Sequence, residues 1–99
     1  MSVTTLVRYK GGKPEEMVSI GKTAKPILEK HGAEYVRLGR FHTGNYAGEW
    51  LAVIRYPNWA AYGKAQEGMA TDQEYQKVLA HLLSLVEMTG REVIVGYDI

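Results

Sequence analysis

Apolar positions alternate at the start, middle and end of the chain and recur at helical spacing in between. Val3-Thr-Thr-Leu-Val-Arg-Tyr9 is rich in β-branched residues and runs into Lys10-Gly-Gly12, which predicts a first strand closed by a turn. Lys13-Pro-Glu-Glu16 opens a helix. Proline in the first turn lacks an N–H that would be unpaired anyway, and the two carboxylates favour the positive end of the helix dipole. Met17, Ile20, Ala24, Ile27 and Leu28 follow at helical spacing, and Gly32 fits a left-handed cap after His31. Pro26 displaces the carbonyl four residues earlier, so a kink or break is expected near Lys25.

Between Ala33 and Tyr56 two β-rich runs flank Thr43-Gly44-Asn45-Tyr46. With Gly44-Asn45 as a two-residue hairpin loop, Thr43 faces Tyr46 and every outer pair is determined. One face then pairs Glu34 with Arg55, Val36 with Val53, Leu38 with Leu51, and Arg40 with Glu49. The other pairs Tyr35 with Ile54, Arg37 with Ala52, Gly39 with Trp50, and Phe41 with Gly48. Opposite charges meet, aliphatics meet, and Trp50 and Phe41 each lie across from a glycine, which supports this register.

Asn58 caps a helix carrying Trp59, Tyr62, Gln66 and Met69 on one stripe. Thr71-Asp-Gln-Glu74 reads as a capping box ahead of the cleanest amphipathic segment, Tyr75, Val78, Leu79, Leu82, Leu85 and Val86. Gly90 is expected to end that helix, and Val93 to Tyr97 forms the last strand. The order βαββαβ, with the second helical segment split in two, predicts a ferredoxin-like α+β fold over residues 1–99 as one domain. Its four-stranded antiparallel sheet carries helices on one face.

Composition narrows the function. The chain of 99 residues is 45% hydrophobic and 23% charged, as ordinary soluble domains are. Twelve Lys and Arg against eleven Asp and Glu leave a formal charge of +1, which gives no basic field for nucleic acid or an anionic membrane. Cysteine is absent, so disulfides, thiolate metal sites and a cysteine nucleophile are excluded. No apolar run reaches membrane-spanning length, and Arg8 comes too early for a signal-peptide core, so a cytoplasmic protein is expected.

Helices cover one sheet face only, whereas the hairpin as registered above carries large apolar groups on both. A row of Val36, Leu38, Leu51 and Val53 left bare would exceed the apolar patch that monomers tolerate, so a homodimer packed sheet to sheet through these residues is expected.

The element order, the two-sided sheet, the run Trp50-Leu-Ala-Val-Ile-Arg-Tyr-Pro-Asn-Trp59 and the step Ala65-Gln-Glu-Gly-Met-Ala-Thr-Asp-Gln-Glu-Tyr75 together resemble the dimeric α+β barrel superfamily. Within it the chain is most similar to NIPSNAP-like proteins and to antibiotic-biosynthesis-type monooxygenases. The resemblance covers nearly the whole chain and implies the fold more than an activity. The haem-degrading branch needs an asparagine on the first strand, a tryptophan ending the third and a histidine on the following helix. Here the first strand has no asparagine, Tyr56 stands at the tryptophan position, and His81 lies beyond the ligand position, so haem is disfavoured.

No phosphate loop, dinucleotide fingerprint or nucleophile elbow is present. The three histidines do not stand at metal-ligand spacing, so neither metal nor cofactor is expected. His31 fits a helix end and His81 a helix edge, while His42 beside the hairpin could act as an acid, a base or a partner contact. What remains is an aromatic sheet face of Tyr35, Phe41, Trp50 and Tyr56 with Arg37 among them, over which the helix bearing Trp59 and Tyr62 could close. A guanidinium on such a face must be paired, stacked or beside a wet cavity. The expected function is therefore binding of a small aromatic or planar ligand between sheet and helices, with no catalytic residue assigned. The alternative is a cofactor-independent monooxygenase-type enzyme acting on an electron-rich, polyketide-like aromatic, its ring held by Tyr35, Trp50 and Tyr56 and its anion by Arg37.

Overall fold

A computed structural model describes all residues from Met1 to Ile99. The elements are β1 (Ser2–Gly11), α1 (Pro14–Lys30), β2 (Tyr35–Arg40), β3 (Trp50–Tyr56), α2 (Trp59–Thr71), α3 (Gln73–Leu85) and β4 (Val86–Gly96). The four strands form one antiparallel sheet in the order β2-β3-β1-β4, which is the ferredoxin-like arrangement that the element order predicts.

Strand alternation sends Val3, Thr5, Val7 and Tyr9 to the helix side of β1, where all four are buried. Their partners in β3 are Tyr56, Ile54, Ala52 and Trp50. Thr4, Leu6 and Arg8 alternate onto the open face, across from Arg55, Val53 and Leu51. Between the helices and this face the buried apolar residues cluster in two separate groups. Leu28, Ala33, Tyr56, Ala65 and Met69 form one, and Val7, Tyr9, Met17 and Trp50 form the other.

The hairpin register differs from the expected one by a single residue. Val36 pairs with Ile54, Arg37 with Val53, Leu38 with Ala52, Gly39 with Leu51, and Arg40 with Trp50. The connection is longer than a two-residue turn. Ala47 N–H donates to the Gly44 carbonyl (3.2 Å), Glu49 N–H to that of Tyr46 (2.8 Å) and Gly48 N–H to that of Phe41 (2.8 Å). Gly44 (φ +91°) and Gly48 (φ +89°) occupy the positive-φ region that side chains disfavour. This wider loop has an odd number of residues, so every cross-strand pair moves by one. Val36 and Leu38 consequently face the helices while Leu51 and Val53 face the other way. The four do not form the single aliphatic row expected of a dimer surface.

Three further expectations are corrected. Helix α1 runs unbroken through Pro26, which sits on its exposed side while Met17, Ile20, Ile27 and Leu28 anchor the buried side. The N-cap of α3 is Asp72, not Thr71: its Oδ1 accepts from the N–H groups of Glu74 (3.0 Å) and Tyr75 (3.2 Å), while Thr71 closes α2. Helix α3 stops at Leu85 because pairing with β1 claims the chain from Val86 onward, so β4 is 11 residues long. A bulge opposite Arg8 and Tyr9 leaves Thr89 as the extra residue, and its hydroxyl donates to Glu49.

Candidate functional site

Helix α3 has the apolar spacing of a core helix, yet none of its residues is buried. Tyr75, Val78, Leu79 and Leu82 are only half-covered because a cleft of about 470 Å³ lies beneath them. Its floor is the helix side of the sheet, chiefly Tyr9, Val36, Leu38, Trp50, Ala52 and Ile54, and its second wall is α1 through Met17, Ile20, Ala24 and Leu28. The cleft borders both buried groups, touching Leu28 of one and Tyr9, Met17 and Trp50 of the other. Its volume falls within the range of small-molecule sites, and its walls are mainly apolar, as such sites are.

The polar groups of the cleft lie on the sheet and at the rim. Arg40, across from Trp50 in the true register, holds its guanidinium 4.7 Å from the indole ring and donates Nε–H to the Gly48 carbonyl (3.1 Å). The Trp50 N–H donates to the carbonyl of Gly11 (2.9 Å), which fixes the ring in its buried place. Burial pushes the Tyr9 phenol up to about 12 and also raises that of Tyr75, so both are protonated at neutral pH. No histidine, aspartate or glutamate lines the cleft.

A polar cluster lies on the β4 side of the helix layer. Arg91, on the helix side of β4, donates to the Tyr62 hydroxyl (3.1 Å). The Tyr62 ring packs edge-on against both Tyr56 and Trp59, with centroids 5.7 Å apart in each pair. Burial raises the Tyr56 phenol to about 12. The histidines stand apart from both places. His31 Nε2 lies 2.7 Å from Asp72 Oδ2, which Lys30 Nζ also approaches at 2.9 Å. These two partners and the Tyr75 N–H hold the Asp72 carboxyl well below the usual carboxylate range. His42 and His81 are exposed, and nowhere do three potential metal ligands cluster.

The family described as "Domain of unknown function (DUF6854)" matches residues 3–95. The chain belongs to this family. No curated protein matches this DUF6854 chain. Among solved structures it is similar to a variant of SnoaB, a cofactor-independent oxygenase from Streptomyces nogalater (15% identity, TM-score 0.76), and to a NIPSNAP family protein from Agrobacterium tumefaciens (14%, 0.75). A third similar structure is an antibiotic biosynthesis monooxygenase-like protein from Chloroflexus aurantiacus (6%, 0.69). Each alignment covers 99% of this chain and 95% of the other. The DUF6854 chain thus shares the ferredoxin-like α+β fold of these structures, the fold that its sequence resemblance implied. At these identities the likeness concerns the fold.

The structure divides the residues expected to share one site. Trp50 lies in the cleft floor, whereas Tyr35 and Arg37 point to the open face, where Arg37 Nε–H donates to the Tyr35 hydroxyl (3.1 Å). Arg37 is exposed and borders the cleft only at its rim. Phe41 packs on Tyr46 in the hairpin loop, with centroids 5.6 Å apart. Tyr56, Trp59 and Tyr62 belong to the Arg91 cluster, and α1 and α3, not α2, roof the cleft. Sequence reasoning missed Arg40, Tyr9 and Tyr75. The signal for Arg40 was present, because moving the hairpin by one residue exchanges Arg37 for Arg40 on the face that carries Trp50.

Proposed function

We propose that this DUF6854 chain is a small homodimeric α+β barrel protein that binds a small apolar ligand in the cleft between the sheet and helices α1 and α3. The observation that carries the reading is α3: an amphipathic helix with no buried residue, set over a 470 Å³ cleft. A stripe of that kind, left half-covered above an apolar floor, gains further burial when a ligand enters. The aromatic sandwich expected from the sequence is not retained, because Tyr35 and Arg37 lie on the far side of the sheet. The homodimer is retained with a different surface, the open face bearing Leu6, Leu51, Val53 and Ile94.

Titration with a neutral apolar fluorophore such as N-phenylnaphthylamine tests the binding site. Ala52→Phe, which places a ring on the cleft floor, and Ala24→Phe, on the α1 wall, are each expected to abolish the fluorescence gain and leave the far-UV spectrum unchanged. Equal binding by wild type and both variants would rule the cleft out as the site.

A second reading, a cofactor-independent monooxygenase-type enzyme for electron-rich aromatics, is supported by the likeness to SnoaB, which is described as a cofactor-independent oxygenase. It requires a proton acceptor beside the substrate. The cleft residues include no histidine or carboxylate, and a phenol raised to about 12 donates a hydrogen bond better than it accepts a proton. Binding is therefore the better supported function. Oxygen uptake with an electron-rich hydroxylated polycyclic aromatic, abolished by Ala52→Phe, would reverse that order.

A further inference from the structure

The cleft opens to solvent between α1 and the edge strand β2, and the chemistry of this mouth differs from that of the interior. Every exposed residue that lines the cleft belongs to α1 or to the edge strand β2: Val18, Lys22 and Lys25 on the helix, and Arg37, Gly39 and Arg40 on the strand. The side chains deeper in are aliphatic or aromatic, while all the charge sits at the mouth and is positive. These cations have no carboxylate partners. The ion pairs of the chain use the N-terminus, Arg8, Lys30, His31 and Arg55, and neither Lys22, Lys25 nor Arg40 takes part in one. Arg40 spends Nε–H on the Gly48 carbonyl, so its remaining N–H groups are free for a planar acceptor.

We infer that the ligand is an aliphatic carboxylate, its chain lying in the cleft and its carboxylate among Lys22, Lys25 and Arg40 at the mouth. This rests on the cleft reading above and adds the class of ligand. Charge complementarity selects the anionic head, because a net charge of +1 over the whole chain leaves this local run of unpaired cations as a distinct feature. The walls select the tail. Ile20, Leu28, Leu38, Ile54 and Leu79 supply aliphatic surface, and the indole of Trp50 is only 6% exposed, hydrogen-bonded at its N–H and faced by Arg40, so it offers no free ring for stacking. The volume suits a single small molecule, which argues against a helical peptide several turns long.

Titration calorimetry of the full chain with decanoate, decanol and naphthalene carboxylate tests this directly. Decanoate should bind about tenfold or more tightly than decanol, the size of one charge-assisted hydrogen bond. That advantage should shrink as salt is raised from about 0.1 to 1 M, which cuts the screening length from roughly 10 to 3 Å. Lys22→Gln with Lys25→Gln should weaken decanoate and leave decanol unchanged, and Arg40→Gln should do the same. The lysines are exposed on α1, so their replacement keeps the test open even where Arg40→Gln disturbs the hairpin. Equal affinity for decanoate and decanol would overturn the carboxylate inference and leave the cleft reading standing. Binding of neither would overturn both. Naphthalene carboxylate binding more tightly than decanoate would overturn the aliphatic assignment.

Discussion

Arg40 and Trp50 are direct cross-strand partners, and the guanidinium of one lies 4.7 Å from the ring of the other. That pair marks the register of the hairpin and therefore decides which residues face the cleft. A double-mutant cycle on Arg40→Gln and Trp50→Leu should return a coupling of about 0.5–1 kcal/mol, the usual size of a partly exposed cation–π contact. The corresponding cycle on Arg40 and Glu49, partners in the register that sequence matching favours, should return a coupling near zero. The reverse result would move the hairpin by one residue.

The element order, the open sheet and the cap at Asn58 were legible in the sequence, because β-branched runs, helical spacing and capping residues each have a local cause. Asn58 Oδ1 accepts from Ala61 N–H at 2.8 Å as that pattern requires. The hairpin register was not legible. Leu51-Ala-Val-Ile54 is apolar at four consecutive positions, so either register meets aliphatics with aliphatics, and only loop geometry separates them. The candidate site inherited that ambiguity. Trp50 was placed beside a pocket, but the arginine accompanying it was misassigned by one step of alternation. The cleft itself is a tertiary spacing between α1, α3 and the sheet, which no local pattern encodes.

Two glycines in α2 should respond oppositely to alanine. A Cβ at Gly63 meets nothing within 4 Å, so Gly63→Ala should stabilise the fold by about 0.5–1 kcal/mol through helix propensity alone. A Cβ at Gly68 would stand 2.5 Å from Nδ1 of His31, forcing the imidazole off Asp72 and away from the junction of α2 and α3. Gly68→Ala should therefore lower the melting temperature despite the better propensity. Paired thermal melts check the difference in sign.

Alkaline pH should weaken the fold through Tyr9 and Tyr56. Both phenols are raised from 10.0 to about 12, chiefly by burial. The unfolded chain releases these protons first, so the associated stability is complete below pH about 10 and declines as pH rises toward about 12. Denaturant titrations across that window should show the decline, and Tyr9→Phe should reduce it. A stability independent of pH there would contradict the burial of these hydroxyls.

The open face should associate. One end is covered by the chain itself, where Tyr46 lies over the Arg8 guanidinium at 4.1 Å and Glu92 pairs with Arg8 at 2.7 Å. Leu6, Val53 and Ile94 lie beyond that cover, with Ile94 47% exposed. Light scattering should give twice the 11.1 kDa chain mass for the wild type. Ile94→Asp should shift it to monomer, because an unpaired charge buried at an interface costs about 3–5 kcal/mol. A wild-type monomer at micromolar concentration would refute the dimer.

Occupancy of the space beneath α3 by a ligand underlies the proposed function. Methyl-resolved NMR during titration with N-phenylnaphthylamine measures that occupancy residue by residue. Saturable shifts should appear at Ile20, Leu38, Ile54 and Leu79, which line the cleft from both walls and the floor. Shifts confined to Leu6, Val53 and Ile94 on the open face, or none at saturating ligand, would contradict it.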